Sequence, residues 1–518
     1  MPAVVTDQFR IANAGNFVDS VLDSNNSYYV FLGLPNPAVA GFGRTTSWPS
    51  DPIDNQQYLT HYRDTSLFGK KINSSNIRRV VKKHSWAANT KYDIYRHDYS
   101  EEANKAPNSQ TGSLYKTNYY VITSEFKVYI CLSNGSTGDS PKGVDSLDEP
   151  TFTDLEPSTA GTQDPYVWKY LFTISPSDVI KFDSIEYIVL PNDWSTTTDS
   201  QIQSVREAGD SDINKNQIRK VYIENAGTGY TDTTGEICNI LGDGSGAKAL
   251  VTVTSGKITD VIVTSGGSGY TFGMVDLTNL GTPSTRAKLI PIIPPSKGHG
   301  FDIYTELGAD KVLVYSRFDD STKDFPTDTH FGQVGIIKNP NDFTNSGILT
   351  ASQFSSLSSI KLSTAIDITD FNALIGVGIT QSVSGGTAKG VVASYDKDTK
   401  VLKYIQDRGS YLNPTSFDNT DFANVTTRSK VLSFENTDTS SDIFGQGGAV
   451  SFSSGIEDFT GITTTIGNRQ INLGVNFTNG LANPEINKKT GDVIYIDNRK
   501  KVERYIRQKE DVKIILEF

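Results

Sequence analysis

Apolar residues along this chain fall mostly in short runs or in alternation, and seldom at helical spacing. Tyr28–Leu34 (YYVFLGL) is a continuous apolar run of strand length. NYYVITS, EFKVYICLS, YVWKYLFTI and EYIVLP follow between residues 118 and 191, with turn residues between them, and each reads as a strand. Two segments read as helix. In Ile11–Leu22, Phe17, Val18 and Leu22 share one face. In INSSNIRRVVKKHSW, Ile72–Trp86, Ser74 or Ser75 stands at the cap and Ile77, Val80 and Val81 share a face.

The last residues alternate. In VKIILEF, Val512, Ile514, Leu516 and Phe518 fall on one face, and Lys513, Ile515 and Glu517 on the other. This predicts a half-buried strand that completes a sheet begun near the N-terminus. VIYI, just upstream, is expected as a neighbouring strand, with the basic segment between them as a surface excursion.

Two regions differ in style. VYIENAGTGYT (221–231) recurs as VIVTSGGSGYT (261–271), with GDGSGAKALVTVTSGKITDV between the copies. This is an internal repeat of short strands and glycine-rich turns. GVGITQSVSGGTAKGVVASYDKDTKVLKYI reads as strand, glycine turn, strand, DKDT turn, strand. The expected organisation is therefore a mainly β core with short helices in its loops. Its parts are residues 1–205, 291–345 and 486–518, interrupted by small β-modules at 206–290 and 346–485.

Composition agrees. At 518 residues the chain is long enough for several domains, and its 24 Tyr, 25 Phe and many Val, Ile and Thr favour sheet. A formal charge of −11 argues against general nucleic-acid binding, which needs a basic surface. The two cysteines, Cys131 and Cys238, form no CxxC or Cys/His cluster, so a disulfide scaffold and a zinc site are not expected. No run approaches membrane-spanning length, and MPAVVTDQFR does not read as a signal peptide. Folding in a reducing cytoplasm is expected.

The search for catalytic chemistry finds little. GxxxxGK[ST], GxSxG and HExxH are missing from the sequence. Asp210, Asp212 and Asn214 open like a calcium loop, but Lys215 replaces the required glycine and Val221 stands at the twelfth position. The five histidines are scattered, and the carboxylates of Asp145, Asp148, Glu149, Asp154 and Glu156 crowd one loop, where solvation is the plain reading. No catalytic, cofactor-binding or metal-binding residue is assigned, and no cofactor is expected. Two basic stretches stand out in an acidic protein: Lys70, Lys71, Arg78, Arg79, Lys82 and Lys83, then Arg499, Lys500, Lys501, Arg504, Arg507 and Lys509. Such charges either form solvated faces or dock and orient acidic partners.

Several segments, in order, resemble the baseplate wedge subunit called gene product 8 of T-even-type contractile phage tails. They are TDQFR near the start, a loop with Trp48, INSSNIRRVVKKHSW, DPYVWKYLFTISPSD followed by EYIVLP, then KGHGFD and VGIIKNP, and finally GDVIYIDNRKKV with a closing VKIILEF. The resemblance covers about half the chain. Lys82 stands where that family carries a proline, and the two glycine-rich modules have no counterpart in the T-even protein. The resemblance implies that the core is a multilayer β-sandwich with helix-bearing loops, and that the chain is a non-enzymatic virion protein of the tail baseplate, assembled in the host cytoplasm, acting as a homodimer that binds other wedge subunits. It implies neither a nucleic-acid nor a membrane partner. Arg78, Arg79, Lys82, Lys83, Trp86, Arg499, Lys500, Lys501 and Arg504 are the candidate partner contacts. The alternatives are a glycan- or receptor-binding tail protein, with Tyr230 and Tyr270 as candidate platforms, and a polysaccharide-degrading tail enzyme.

Overall fold

Runs rich in Val, Ile, Tyr and Phe form strands here, and the polar Gly, Ser, Asn and Asp segments between them form turns. The computed structural model describes residues 3–34, 51–99, 111–211, 216–319, 330–343 and 347–363. It also describes 365–366, 374, 377–383, 386–398, 400–405, 431–435, 452–455, 463–466, 469–472, 485–504 and 508–518. The fold is mainly β, with antiparallel sheets and short helices. Trp48, Arg507 and the centre of the calcium-like loop (212–215) lie outside the described residues.

The chain divides into two units. Unit 1 holds Met1–Val18, Ile77–Leu313 and Ile514–Phe518; unit 2 holds Asp19–Asn76 and Val314–Lys513. The segments expected to share one sandwich are thus distributed between the two.

In unit 1, Tyr120–Ile122, Lys127–Asn134 and Tyr166–Thr173 form a three-stranded antiparallel sheet. Its first hairpin turns through Phe126, at φ 59°. Trp168 is fully buried, stacked on Tyr166 at 5.4 Å and met edge-on by Tyr92 at 5.6 Å. YVWKYLFTI therefore anchors the unit's aromatic core.

The helix expected over Ile72–Trp86 is instead a strand, Ile77–Lys82, paired with Tyr187–Val189 (Val80↔Val189, Val81↔Ile188). Ile77, Val80 and Val81 are β-branched and buried, which suits a strand better than a helix. Neither serine caps a helix: Asn73 Oδ1 accepts from the amide and the hydroxyl of Ser75, closing a turn before the strand. The other expected helix is present as Asp7–Leu22.

The chain end also differs in part. The alternation holds: Ile514 is buried, Val512, Leu516 and Phe518 are half-buried, and Lys513, Ile515 and Glu517 are exposed. The strand is Glu510–Glu517, but the sheet it completes continues through Lys311–Phe318, Ile77–Lys82 and Tyr187–Val189. It does not begin near the N-terminus. VIYI belongs to another sheet, and its strand runs on through the basic residues as Asp492–Glu503. The basic residues Arg499, Lys500 and Lys501 lie within this strand, at a register irregularity between the pairs Gln333↔Asn498 and Phe331↔Val502 with the strand His330–Lys338. That five-stranded sheet of unit 2 has the order Gln353–Ser355, Ser66–Lys71, Tyr28–Gly33, His330–Lys338, Asp492–Glu503. Tyr28–Gly33, buried throughout, lies at its centre, as a continuous apolar run requires.

The expected strand–turn–strand–turn–strand of the second module appears as Gly378–Val383, Gly386–Asp396 and Val401–Ile405, adjacent in a six-stranded sheet.

The first module closes its own core from Ile218 to Ile293. Its repeat is longer than the eleven-residue motif: residues 221–250 match 261–290 at a constant offset, down to Ala247-Lys248 and Ala287-Lys288. The copies are interlocked. Val221–Asn225, from the first copy, pairs with Lys288–Pro291, from the second. Lys257–Ser268 pairs with Ser245–Thr254 in the same register: Tyr222↔Ile290 corresponds to Ile262↔Leu250, with an irregularity at the same place. Gly227 and Gly267 explain the shared GxGY. Both have positive φ, and a Cβ on either would lie 2.7 or 2.8 Å from the ring of Tyr230 or Tyr270. Those tyrosines are buried, and each hydroxyl accepts the amide of the matching alanine, Ala287 or Ala247. Gly227→Ala and Gly267→Ala are each expected to destabilise the module by roughly 2–4 kcal/mol, and by similar amounts. Urea unfolding of the two variants checks this; a neutral Gly267→Ala would contradict the equivalence.

Candidate partner-binding groove

The basic strand Ile77–Lys82 divides its charges between inside and outside. Arg78 Nη2 lies 2.9 Å from Asp178 Oδ1 and Arg78 Nε donates to Asp178 Oδ2, while the guanidinium packs over Phe182. Asp178 is positioned by the short helix Pro176–Phe182, whose N-cap is Ser175. Arg79 stacks 3.8 Å above the ring of Tyr304. Lys82 is exposed, and Lys83 reaches Asp183 at 3.2 Å and the carbonyl of Ser184. Trp86 is half-buried, its Nε1 donating to Ser146 Oγ.

The second basic stretch behaves similarly. Arg499 pairs with Asp497 at 2.5 Å and Lys501 with Glu503 at 2.9 Å, both along one strand. Lys500 is exposed. Arg504 is sealed inside unit 2, against Glu510 at 3.0 Å. Of the candidate contacts, Arg78, Arg79 and Arg504 are engaged inside the fold, Lys83 and Lys501 are half-buried in ion pairs, and Lys82 and Lys500 are exposed.

Lys82 and Lys83 line a groove of about 820 Å³ in unit 1. Arg10, Lys116 and Lys311 join them, with Asp7, Glu186, Asp310 and Glu517 as counter-charges and Ile185 almost wholly exposed at its rim. No spacing in the sequence connects these residues, since they come from both ends and the middle of the chain. A second groove of about 720 Å³ shares Asp7, Ser113 and Tyr115 with the first and adds Tyr95, Lys297 and Phe301. Beside it His299 Nδ1 meets Glu306 Oε1 at 2.5 Å, and Glu306 Oε2 accepts from the amide of Gly300. The KGHGFD segment is thus pinned from within.

His84 follows the lysines into the interior. Its Nε2 is buried with no hydrogen-bond partner, and its ring meets Tyr120 edge-on at 5.2 Å. Burial, and then the charge of Lys82, push its pKa down to about 4. The folded state therefore resists a proton that the unfolded chain accepts near pH 6.5. The stability this contributes is complete above pH 6.5 and is lost as pH falls toward 4. Between pH 7 and pH 5 the loss is about 2 kcal/mol. Thermal melts of His84→Phe should show a smaller drop over that range than the parent; an unchanged drop would contradict this account.

Among the described residues, catalytic arrangements are sparse. Cys131 and Cys238 are buried free thiols; burial pushes both up, Cys238 to about 11, which makes them poor nucleophiles. The acidic loop spends its carboxylates locally. Asp148 accepts from Gln163, Glu149 from the amide of Ser124, and Glu156 pairs with Arg219. Among the described residues, no group of three or more His, Cys, Asp and Glu is placed to hold a metal ion. Tyr230 and Tyr270 are buried and present no face for a sugar to stack on. No helix among the described residues is long and apolar enough to cross a membrane.

The inside-outside division predicts a contrast. Lys82→Glu should change stability by no more than about 0.5 kcal/mol, and Lys83→Glu, which turns the ion pair with the largely exposed Asp183 into a repulsion, by about 1 kcal/mol. Arg78→Glu should cost about 3 kcal/mol or more, because it sets two carboxylates together in a mostly buried site. Denaturant midpoints separate the two outcomes; equal effects would contradict the assignment.

No protein-family model matches this sequence, and no curated protein matches it.

Proposed function

We propose that this chain is a structural component of a contractile phage-tail baseplate wedge, non-enzymatic, acting by self-association and by binding neighbouring wedge subunits. One observation supports this most: the segments that carry the resemblance lock onto one another as framework. Arg78, from INSSNIRRVVKKHSW, holds Asp178, from DPYVWKYLFTISPSD. Arg79 stacks on Tyr304, just after KGHGFD. Asn192, following EYIVLP, donates to the carbonyl of Ile77. Residues used this way fix a shape and leave little for chemistry. The groove lined by Lys82 and Lys83 is the surface offered to an acidic partner, where charge steers and orients assembly.

The test is assembly. The double variant Lys82→Glu/Lys83→Glu, mixed with the tail's other baseplate proteins, should fold normally and incorporate poorly, more so at low salt. Normal incorporation would remove the groove from the interface.

A further inference from the structure

We infer that the first module carries a self-association surface: the outer face of its four-stranded sheet, which fits the same face of a second copy of this chain. The sheet has the order Lys257–Ser268, Ser245–Thr254, Thr233–Gly242, Gly273–Val275. Across its first three strands Ile262, Leu250 and Ile237 stand directly opposite one another, in register. Ile262 and Ile237 are 54% and 58% exposed, and Leu250 is half-buried between them. Leu241 and Met274, opposite one another and exposed, form a separate apolar pair two steps along the strand from Ile237, beyond Asn239. Single exposed apolar residues are ordinary on a protein surface, but a contiguous row at the centre of a sheet face is not.

The repeat shows how the fold treats such a face. Tyr222 and Ile290 occupy the positions of Ile262 and Leu250 in the interlocked copy. There the face is covered: Tyr222 is buried beneath Arg96, at 4.1 Å, and the amide of Ile293, just beyond Ile290, donates to His97 Nδ1. Among the described residues, the chain supplies a cover for one face of the module and leaves the equivalent face apolar and exposed.

Charge selects the second copy as occupant. One step along the strands from the apolar row lies Lys248, opposite Asn239 and Ser265. One step the other way lies Thr252, opposite Asp260. A two-fold axis running along the apolar row, in the plane of the contact, lays that row on its own counterpart and reverses the strand direction. Lys248 of each copy then meets the Thr252–Asp260 row of the other. Face-to-face sheets pack this way, with interdigitating side chains, and the patch is self-complementary as an isologous contact requires. The inference stands on the module alone and does not need the baseplate reading.

Light scattering of the full chain from about 1 to 100 µM tests it. The mass should rise to twice 56.6 kDa. Ile237→Asp and Ile262→Asp should each raise the dissociation constant roughly tenfold or more, with unchanged melting. Lys248→Glu and Asp260→Lys should each weaken the dimer, and the double exchange Lys248→Glu/Asp260→Lys should restore it, because each swapped charge again meets its opposite. A dimer indifferent to all four substitutions would overturn this surface while leaving self-association, and the baseplate reading, intact. A monomer throughout would overturn the surface and the self-association expected of the chain together.

Discussion

Truncating the chain after Val512 is expected to leave little soluble protein. Six residues would go, among them Ile514, buried, and Leu516 and Phe518, half-buried. Phe518 packs on Phe17 at 5.5 Å, and its amide donates to the carbonyl of Asp310. Glu517 pairs with Lys311. Burial of the three apolar side chains contributes on the order of 5 kcal/mol, comparable to the stability of many whole domains. The loss falls on an edge strand whose removal also exposes the strand beside it. Soluble yield and thermal melting measure it. A truncated chain that melts like the parent would show that this strand is ornamental, and the account of the C-terminus would fail.

A comparable loss is expected inside unit 2. Arg504 is fully buried, with Nε 3.0 Å from Glu510 Oε2 and Nη2 donating to the carbonyl of Gln508. Arg504→Ala leaves the Glu510 carboxylate without its cation and should cost about 3–5 kcal/mol. The double replacement Arg504→Met/Glu510→Leu removes both charges, keeps the volume and should recover most of that cost. Urea unfolding of the parent, the single and the double variant forms the comparison. A single variant within about 1 kcal/mol of the parent would show that the pair is solvated.

Much of the β architecture was legible because burial on both faces leaves an unmistakable run. Tyr28–Leu34 and YVWKYLFTI could hardly be placed anywhere but in a core. The Ile72–Trp86 segment misled for a physical reason. Ile77, Val80 and Val81 have spacings a helix face also allows, and the two arginines between them read as solvated charges. Their partners, Asp178 and Tyr304, lie a hundred residues and more away, beyond any local pattern. Alternation in VKIILEF revealed which side chains turn inward, but alternation carries no information about the neighbouring strand. The same gap hid the interlocking of the repeat: GxGY announces two like turns, and only the register shows that each copy completes the other. Of the groove, the sequence displayed Lys82 and Lys83 as a basic run. Arg10, Lys116 and Lys311 reach it through the fold alone. Arg504 looked like its basic neighbours because burial of a single arginine leaves no signature when its carboxylate partner is a few residues on in a charged stretch.

The central claim, that the chain is a baseplate component, is most directly tested by locating it in intact particles. Antibodies raised against the purified chain should decorate the distal end of contractile tails, at the baseplate, before and after contraction. Label on the sheath or the head, or none on particles whose other baseplate proteins are accessible, would contradict it.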